Sequence, residues 1–204
     1  MRRSLSALVA AGIAALSLIT GAAAASAAPQ TVPSVQKSFT FVIDQLATRG
    51  PNGAADQYIQ IKNLSQVPQD LSGFKIAVAP SPSQIFEVAS IPQGTILQPG
   101  RVYVIANPQG YSGPVVDQFF TSTVPLTDRV GVALLSPSNV TIDSVATIAS
   151  SPFVMGAPAS PLTNDQPLAL VRFTNTNNNA VDFHIAPRTP GLPSPVSLFA
   201  STGI

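Results

Sequence analysis

The chain has 204 residues, contains no cysteine or tryptophan, and only 9% of its residues are charged. Without cysteine it forms no disulfides and no cysteine-based zinc sites, so its fold must depend on an apolar core. Its formal net charge is +1, and this balance does not indicate a basic surface for nucleic acid.

The N-terminus carries the pattern of a secretory signal. Arg2 and Arg3 precede an apolar stretch at residues 7–19, and an A-x-A motif ends at Ala27. This pattern predicts a signal peptide over residues 1–27 that is cleaved after Ala27. The alternative is an uncleaved membrane anchor, although the stretch is rich in Ala and Gly and ends in small residues.

Cleavage after Ala27 removes two of the ten basic residues, which leaves a net charge of about 8 − 9 = −1. We therefore expect a secreted, extracellular protein that binds no nucleic acid and keeps no stable membrane anchor. Composition along the mature chain predicts a linker over residues 28–37, a single domain over 38–193 and a C-terminal tail over 194–204.

From Ser38 onward, short apolar runs alternate with turn-forming residues, and no segment keeps a helical period. This pattern predicts an all-β fold, either a sandwich or a barrel. In residues 57–62, Ile59 and Ile61 share one face, as expected for a half-buried antiparallel strand. The predicted strands cover residues 39–44, 57–62, 86–91, 102–106, 130–135, 140–145 and 168–173.

The segments between these strands contain residues that favour specific turns. Asp70 can accept backbone N–H groups in an Asx turn, and Gly73 tolerates a positive φ. Two long turn-rich segments, residues 107–128 and 150–166, are expected to be surface loops, where binding function tends to lie. The polar tract at residues 174–179 is predicted to be a further exposed loop.

Seven sequence elements follow one another in an order that is specific although each is short. They are the strand leading to Asn63, Asp70-Leu71-Ser72-Gly73-Phe74, Leu97…Pro99-Gly100…Tyr103, Asp128–Leu135, Val140–Val145, Leu168…Arg172, and Asn177–Phe183 with Thr189-Pro190-Gly191-Leu192-Pro193. In this order they resemble the lamin tail domain over roughly residues 38 to 193.

The resemblance implies an immunoglobulin-like antiparallel β-sandwich of the exported, stand-alone bacterial type. It also implies a non-catalytic interaction module, since this family often accompanies exported enzymes or membrane-associated proteins. Phe74 stands where the family often has Trp, and Gln57 and Gln60 stand where it usually has Glu. The two glutamines remove carboxylates that would suit an acidic or metal contact.

Catalysis and metal binding have few candidate residues in this sequence. The single histidine, His184, lies two residues after Asp182, which suggests a secreted Ser-His-Asp hydrolase as an alternative function. The nearest nucleophile motif surrounds Ser112 but ends in Pro114, where the hydrolase motif has Gly. The carboxylates are scattered singly, so no metal or cofactor is expected, apart from a weak loop site at Asp165 or beside the Asn-rich tract.

Aromatic side chains are the remaining candidates for a binding surface. Flat rings suit sugars or other polymers, so a polysaccharide-binding or surface-binding adhesin is a second alternative. Among the candidates Tyr111 is expected to be the most exposed, because glycine and proline surround it. The candidate binding residues are Tyr111, Tyr58, Phe119 and Phe120, with Tyr103 as a further aromatic. The expected partner is a protein or a cell-envelope or polysaccharide component.

Overall fold

A computed structural model describes residues 37–124 and 126–196. The predicted signal peptide, residues 28–36 of the predicted linker and residues 197–204 of the tail lie outside these described residues. The elements are β1 (Phe41–Ala47), β2 (Tyr58–Asn63), β3 (Gln69–Asp70), β4 (Lys75–Ser81), β5 (Gln84–Ser90), β6 (Ile96–Leu97), β7 (Val102–Ala106), β8 (Gln118–Phe119), β9 (Gly131–Leu135), β10 (Thr141–Ala146), β11 (Leu168–Arg172), α1 (Asn179–Asp182) and β12 (Phe183–Pro187).

Two sheets face each other across one apolar core. The larger has six strands in the order β12-β11-β1-β2-β7-β8, and the smaller has four in the order β10-β9-β4-β5. All pairs within them are antiparallel except β7 with β8. This arrangement confirms the predicted immunoglobulin-like β-sandwich.

The core is built from alternate residues of the two sheets. Ile59 and Ile61 of β2 point inward, as the alternation predicts, and meet side chains such as Ile76 and Val132 from the smaller sheet. Phe41 also lies in this core, whereas Phe39 precedes β1 and is 61% exposed. The predicted first strand is therefore displaced by two residues at its start.

The prediction that β2 is half-buried is wrong, because all of its residues from Tyr58 to Asn63 are buried. Residues 188–196 run across the outer face of the larger sheet and cover it. A β-bulge in β1 contributes to this face, because Ile43 pairs with Ile61 but Gln45 pairs with Gln60, which leaves Asp44 as an extra residue.

The Asx turn before β4 forms as predicted. The Ser72 N–H donates to the Asp70 carboxylate at 2.9 Å, and Gly73 has a φ of 72°. The Ser72 hydroxyl in turn accepts the N–H groups of Gly94 and Thr95 at 2.9 and 3.1 Å. The turn therefore joins the start of β4 to the loop that follows β5.

The guanidinium group of Arg172 is fully buried between the two sheets. It donates to Asp143 at 2.7 Å, to Asp182 at 3.3 Å and to the Ile43 carbonyl at 2.8 Å, and the Phe183 ring centroid lies 4.3 Å from its Cζ. Asp143 also accepts the Ile43 N–H at 2.6 Å. Burial raises the pKa of Asp143, although Arg172 opposes this shift. The cluster holds both backbone groups of Ile43 beside the bulge.

The polar tract at residues 174–179 is only in part the exposed loop that its composition predicts. Asn175 and Asn179 are buried, and the Asn179 side chain bonds the β10 backbone through Ser144 and Ala146 at 3.0 Å each. The amide therefore occupies the outer edge of β10 in place of another strand. Among the described residues, no helix is long and apolar enough to cross a membrane.

Candidate functional site

The segment after β7 leaves the sandwich, crosses its outer side and returns as β8. The start of this segment, residues 107–109, and the residues that follow β8, 120–124, line a surface depression of about 70 Å³. Pockets for drug-sized molecules have volumes of roughly 300–1,000 Å³. This depression is therefore too small for a typical small-molecule substrate and suits the tip of a single side chain.

The loop that leads to β8 is held firmly by Tyr111. The Tyr111 ring packs edge-on against Tyr58 with centroids 5.8 Å apart, and its hydroxyl donates to the Val115 carbonyl at 2.6 Å. Burial raises the pKa of Tyr111 to about 12, so its hydroxyl stays protonated and keeps this bond at neutral pH.

A second anchor joins this loop to two other parts of the chain. Ser112 donates to Asp56 through both its N–H and its hydroxyl, at 3.0 and 2.7 Å. Arg188 donates to Asp56 at 2.9 Å and to the Ser112 hydroxyl at 2.7 Å. Burial disfavours the charged carboxylate, but the bonds from Arg188 and Ser112 outweigh it and hold the pKa of Asp56 below its usual value.

Beyond these anchors, the segment presents apolar side chains to solvent. Val115, Val116 and Phe119 are 40%, 39% and 48% exposed. We call residues 115–119 the 115–119 surface. Its single carboxylate, on Asp117, accepts the Val104 N–H at 2.8 Å, so part of its hydrogen-bonding capacity is directed into the sheet. The surface is therefore apolar, weakly charged and carried by an anchored loop.

The structure separates the predicted aromatic residues into two groups. Phe119 is exposed and Tyr111 is half-buried, whereas Tyr58 and Phe120 are buried in the interior. Tyr58 and Phe120 belong to ordinary interior packing, the alternative for these aromatic candidates, because Tyr58 lies under Tyr111 and Phe120 packs into the core. Tyr103 is also partly buried against the core.

The second predicted binding loop, residues 150–166, has a different role. Its largest apolar side chains, Phe153, Met155 and Leu162, are buried. Phe153 packs against Ala77 and Ala133 on the outer face of the smaller sheet. This loop therefore covers the sandwich, and its largest apolar side chains are not available to a partner.

The residues of the alternative catalytic triad do not meet. Asp182 is buried and accepts Arg172 and the Thr176 N–H, so it does not orient a histidine. His184 is exposed, and its ring contacts Phe173 with centroids 5.3 Å apart. Ser112 bonds Asp56 and Arg188, as described above.

The residues suggested for a weak metal site are also engaged in other contacts. Asp182 accepts N–H and O–H donors from the Asn-rich loop, and Asp165 pairs with Arg49 at 3.1 Å. Within residues 37–124 and 126–196, no three His, Cys, Asp or Glu residues form a group that could hold a metal ion.

The two facing sheets define an immunoglobulin-like β-sandwich, and the 115–119 surface lies at one edge strand, β8, of the larger sheet. A family model described as Lamin Tail Domain matches residues 36–149, which is more than half of the 204 residues. The chain therefore belongs to the lamin tail domain family, a family of non-enzymatic immunoglobulin-like domains, as the ordered motifs predict. Beyond the matched range, β11 and β12 complete the larger sheet.

A search of solved structures finds a DUF4876 family protein from Bacteroides thetaiotaomicron with 14% sequence identity and a TM-score of 0.50. The alignment covers 73% of this chain and 71% of that one. At this identity the similarity concerns the fold alone. No curated protein matches the sequence.

Proposed function

We propose that this protein is a secreted, non-catalytic interaction module that binds a protein or cell-envelope component through the 115–119 surface. The observation that carries the proposal is the exposure of Val115 and Val116 on a loop that Tyr111 and Ser112 anchor to the sheet, together with that of Phe119 on the adjoining strand β8. Exposed apolar side chains grouped on an anchored loop are typical of contact sites for other macromolecules.

The test is capture of partners from the cell surface with the purified chain lacking residues 1–27. We expect the native chain to retain a specific component, and Phe119→Ser to reduce its retention at least about tenfold, since central aromatic residues dominate many interfaces. Phe173→Ser is the matched control, because Phe173 is 43% exposed but lies outside the 115–119 surface.

Equal retention by the native chain and Phe119→Ser would contradict the proposed surface. Retention on purified cell-wall polysaccharide would instead support the adhesin alternative. Export is tested separately: we expect the N-terminal sequence of the protein from culture medium to begin at Ala28, and a cell-associated chain that begins at Met1 would refute the signal-peptide prediction.

A further inference from the structure

The outer face of β1 and β2 carries four polar side chains that are buried, namely Asp44, Gln45, Gln60 and Lys62. They lie beneath residues 188–196, which we call the C-terminal strap. Buried polar groups require hydrogen-bond partners. The strap supplies them, mostly from its main chain.

Gln45 and Gln60 hold the first half of the strap. Gln45 accepts the Thr189 N–H at 3.1 Å and donates to the Thr189 hydroxyl at 2.9 Å and the Leu192 carbonyl at 3.1 Å. Gln60 accepts the Gly191 N–H and donates to the Leu192 carbonyl, both at 2.8 Å. The two amides thus bind both the donors and the acceptors of one backbone turn.

Lys62 and Asp44 hold the second half. The Lys62 ammonium donates to the carbonyls of Ser194 and Val196, each at 2.7 Å. Asp44 accepts the Ser194 N–H at 3.0 Å and also its hydroxyl. The bonds from the Lys62 ammonium are charge-assisted, which makes them stronger than hydrogen bonds between neutral groups.

The strap itself contributes few side chains to this contact. Leu192 is 63% exposed, and Val196 packs into a small cluster with Val42 and Leu64. The sheet therefore recognises mainly the backbone of the strap. The side chains that matter are the hydroxyls of Thr189 and Ser194 and the apolar group of Val196, and position 191 needs a glycine because its φ is 88°. Prolines at 190, 193 and 195 restrict the free peptide, which lowers the entropy lost on binding.

From these contacts we infer that the outer face of β1 and β2 is a peptide-binding site, occupied within the same chain by the C-terminal strap. Its ligand class is a proline-rich peptide with the pattern hydroxyl residue, Pro-Gly, a free position, Pro, Ser, Pro and a β-branched apolar residue. A partner carrying this pattern binds when the strap is released. In the native chain the tethered strap competes at an effective concentration in the millimolar range.

The test uses a fluorescent peptide with the sequence of residues 188–196 and the full chain. Gly191→Val loosens the strap, because a Cβ at this position lies 2.9 Å from the Val115 side chain and the positive φ disfavours valine. We expect anisotropy to show peptide binding to Gly191→Val that is at least about tenfold tighter than to the native chain, whose site is occupied.

Two controls locate the binding on the sheet. Adding Gln60→Leu to Gly191→Val removes the amide that hydrogen-bonds the backbone turn at Gly191 and Leu192, and we expect the peptide affinity to fall at least about tenfold. A peptide with valine in place of its glycine should bind neither protein. Should Gly191→Val fail to fold, Ser194→Ala loosens the strap through its hydroxyl alone and replaces it in both comparisons.

The absence of peptide binding to a natively folded, strap-loosened variant at millimolar peptide would overturn the inference. Equal binding with and without Gln60→Leu would overturn it as well, because the peptide would then bind elsewhere. The strap touches the 115–119 surface at Val115, but Phe119 lies outside the strap contacts, so Phe119→Ser should reduce partner capture without altering peptide affinity and the two proposals can fail separately.

Discussion

Replacing Arg172 by methionine tests whether the buried ionic cluster holds the two sheets together. Methionine replaces the apolar stem of arginine but leaves Asp143 and Asp182 without the cation that bonds them at 2.7 and 3.3 Å. It also leaves the Ile43 carbonyl without its donor. Removing one partner of a buried ion pair costs about 3–5 kcal/mol, because the remaining charge stays buried.

For a domain of this size, that loss corresponds to a decrease in melting temperature of about 6–20 °C. Urea denaturation followed by circular dichroism measures the free energy of unfolding directly. The matched control is Arg49→Met, since Arg49 also bonds two carboxylates, those of Asp128 and Asp165, but is 24% exposed. Solvent-accessible ion pairs contribute about 0–1 kcal/mol each, so the control, which removes two of them, should lose no more than about 2 kcal/mol.

The effect of pH on Arg172→Met has a definite sign. Burial raises the pKa of Asp143 in the folded protein, and Arg172 opposes this shift, so the substitution raises that pKa further. A carboxyl group whose pKa is raised in the folded state favours folding while it is protonated at low pH. This stabilisation is lost as the pH rises through the folded-state pKa, because the buried group then becomes charged. The stability difference from the native chain should therefore shrink between about pH 7 and about pH 4.

Equal losses for Arg172→Met and Arg49→Met would refute the argument that burial makes the first cluster important. If the difference in free energy of unfolding between the native chain and Arg172→Met grows on acidification, the loss of stability does not come from the uncompensated carboxylates.

Three smaller changes have equally definite outcomes. Gly73→Ala should lower the free energy of unfolding by about 1–2 kcal/mol in urea titration, because its φ of 72° is unfavourable for a residue with a Cβ. Tyr58→Phe should lower it by about 0.5–1.5 kcal/mol, since the hydroxyl donates to Gln45 at 2.7 Å in the interior. His184→Ala should change stability by less than about 0.5 kcal/mol, because the ring lies on the surface, and should leave partner capture intact, because it is not part of the 115–119 surface; loss of capture without unfolding would contradict the location of that surface.

Local sequence signals predicted much of the fold. The alternation of Ile59 and Ile61 identified the inward face of β2, because side chains of a strand alternate between its faces. Asp70 and Gly73 identified the turn before β4, since that turn depends on contacts between residues close in sequence. Order along the chain then identified the family.

The cover over the larger sheet was not predictable in the same way. Gln60 and Lys62 alternate with apolar residues, which is the usual pattern of a solvent-facing side. Their partners in the strap are more than 130 residues later in the chain, and no local sequence pattern predicts a contact over that distance. Pro190 and Gly191 belong to the last of the seven ordered motifs, but nothing in the local sequence places that motif over β2.

The candidate surface was predicted in outline and missed in detail. The segment 107–128 was identified from its turn-forming residues, and the 115–119 surface lies within it. Tyr111, however, is directed onto Tyr58, and Phe119 rather than its neighbour Phe120 faces solvent. A strand of two residues has too short a pattern to show which of two adjacent rings points inward.

The two glutamines that depart from the family pattern have a structural explanation. Gln57 donates to the carbonyls of Thr48, Ala54 and Leu126 at 3.1, 2.6 and 2.6 Å, and Gln60 donates to Asp44 and Leu192. A glutamate can donate none of these bonds when ionised, and at Gln60 it would face the Asp44 carboxylate. Amide donors at these positions therefore allow loops and the C-terminal strap to cover the sheet. Their role is to bind this chain's own backbone, which is why the outer face of β1 and β2 has the chemistry of a peptide site and not that of an acidic or metal contact.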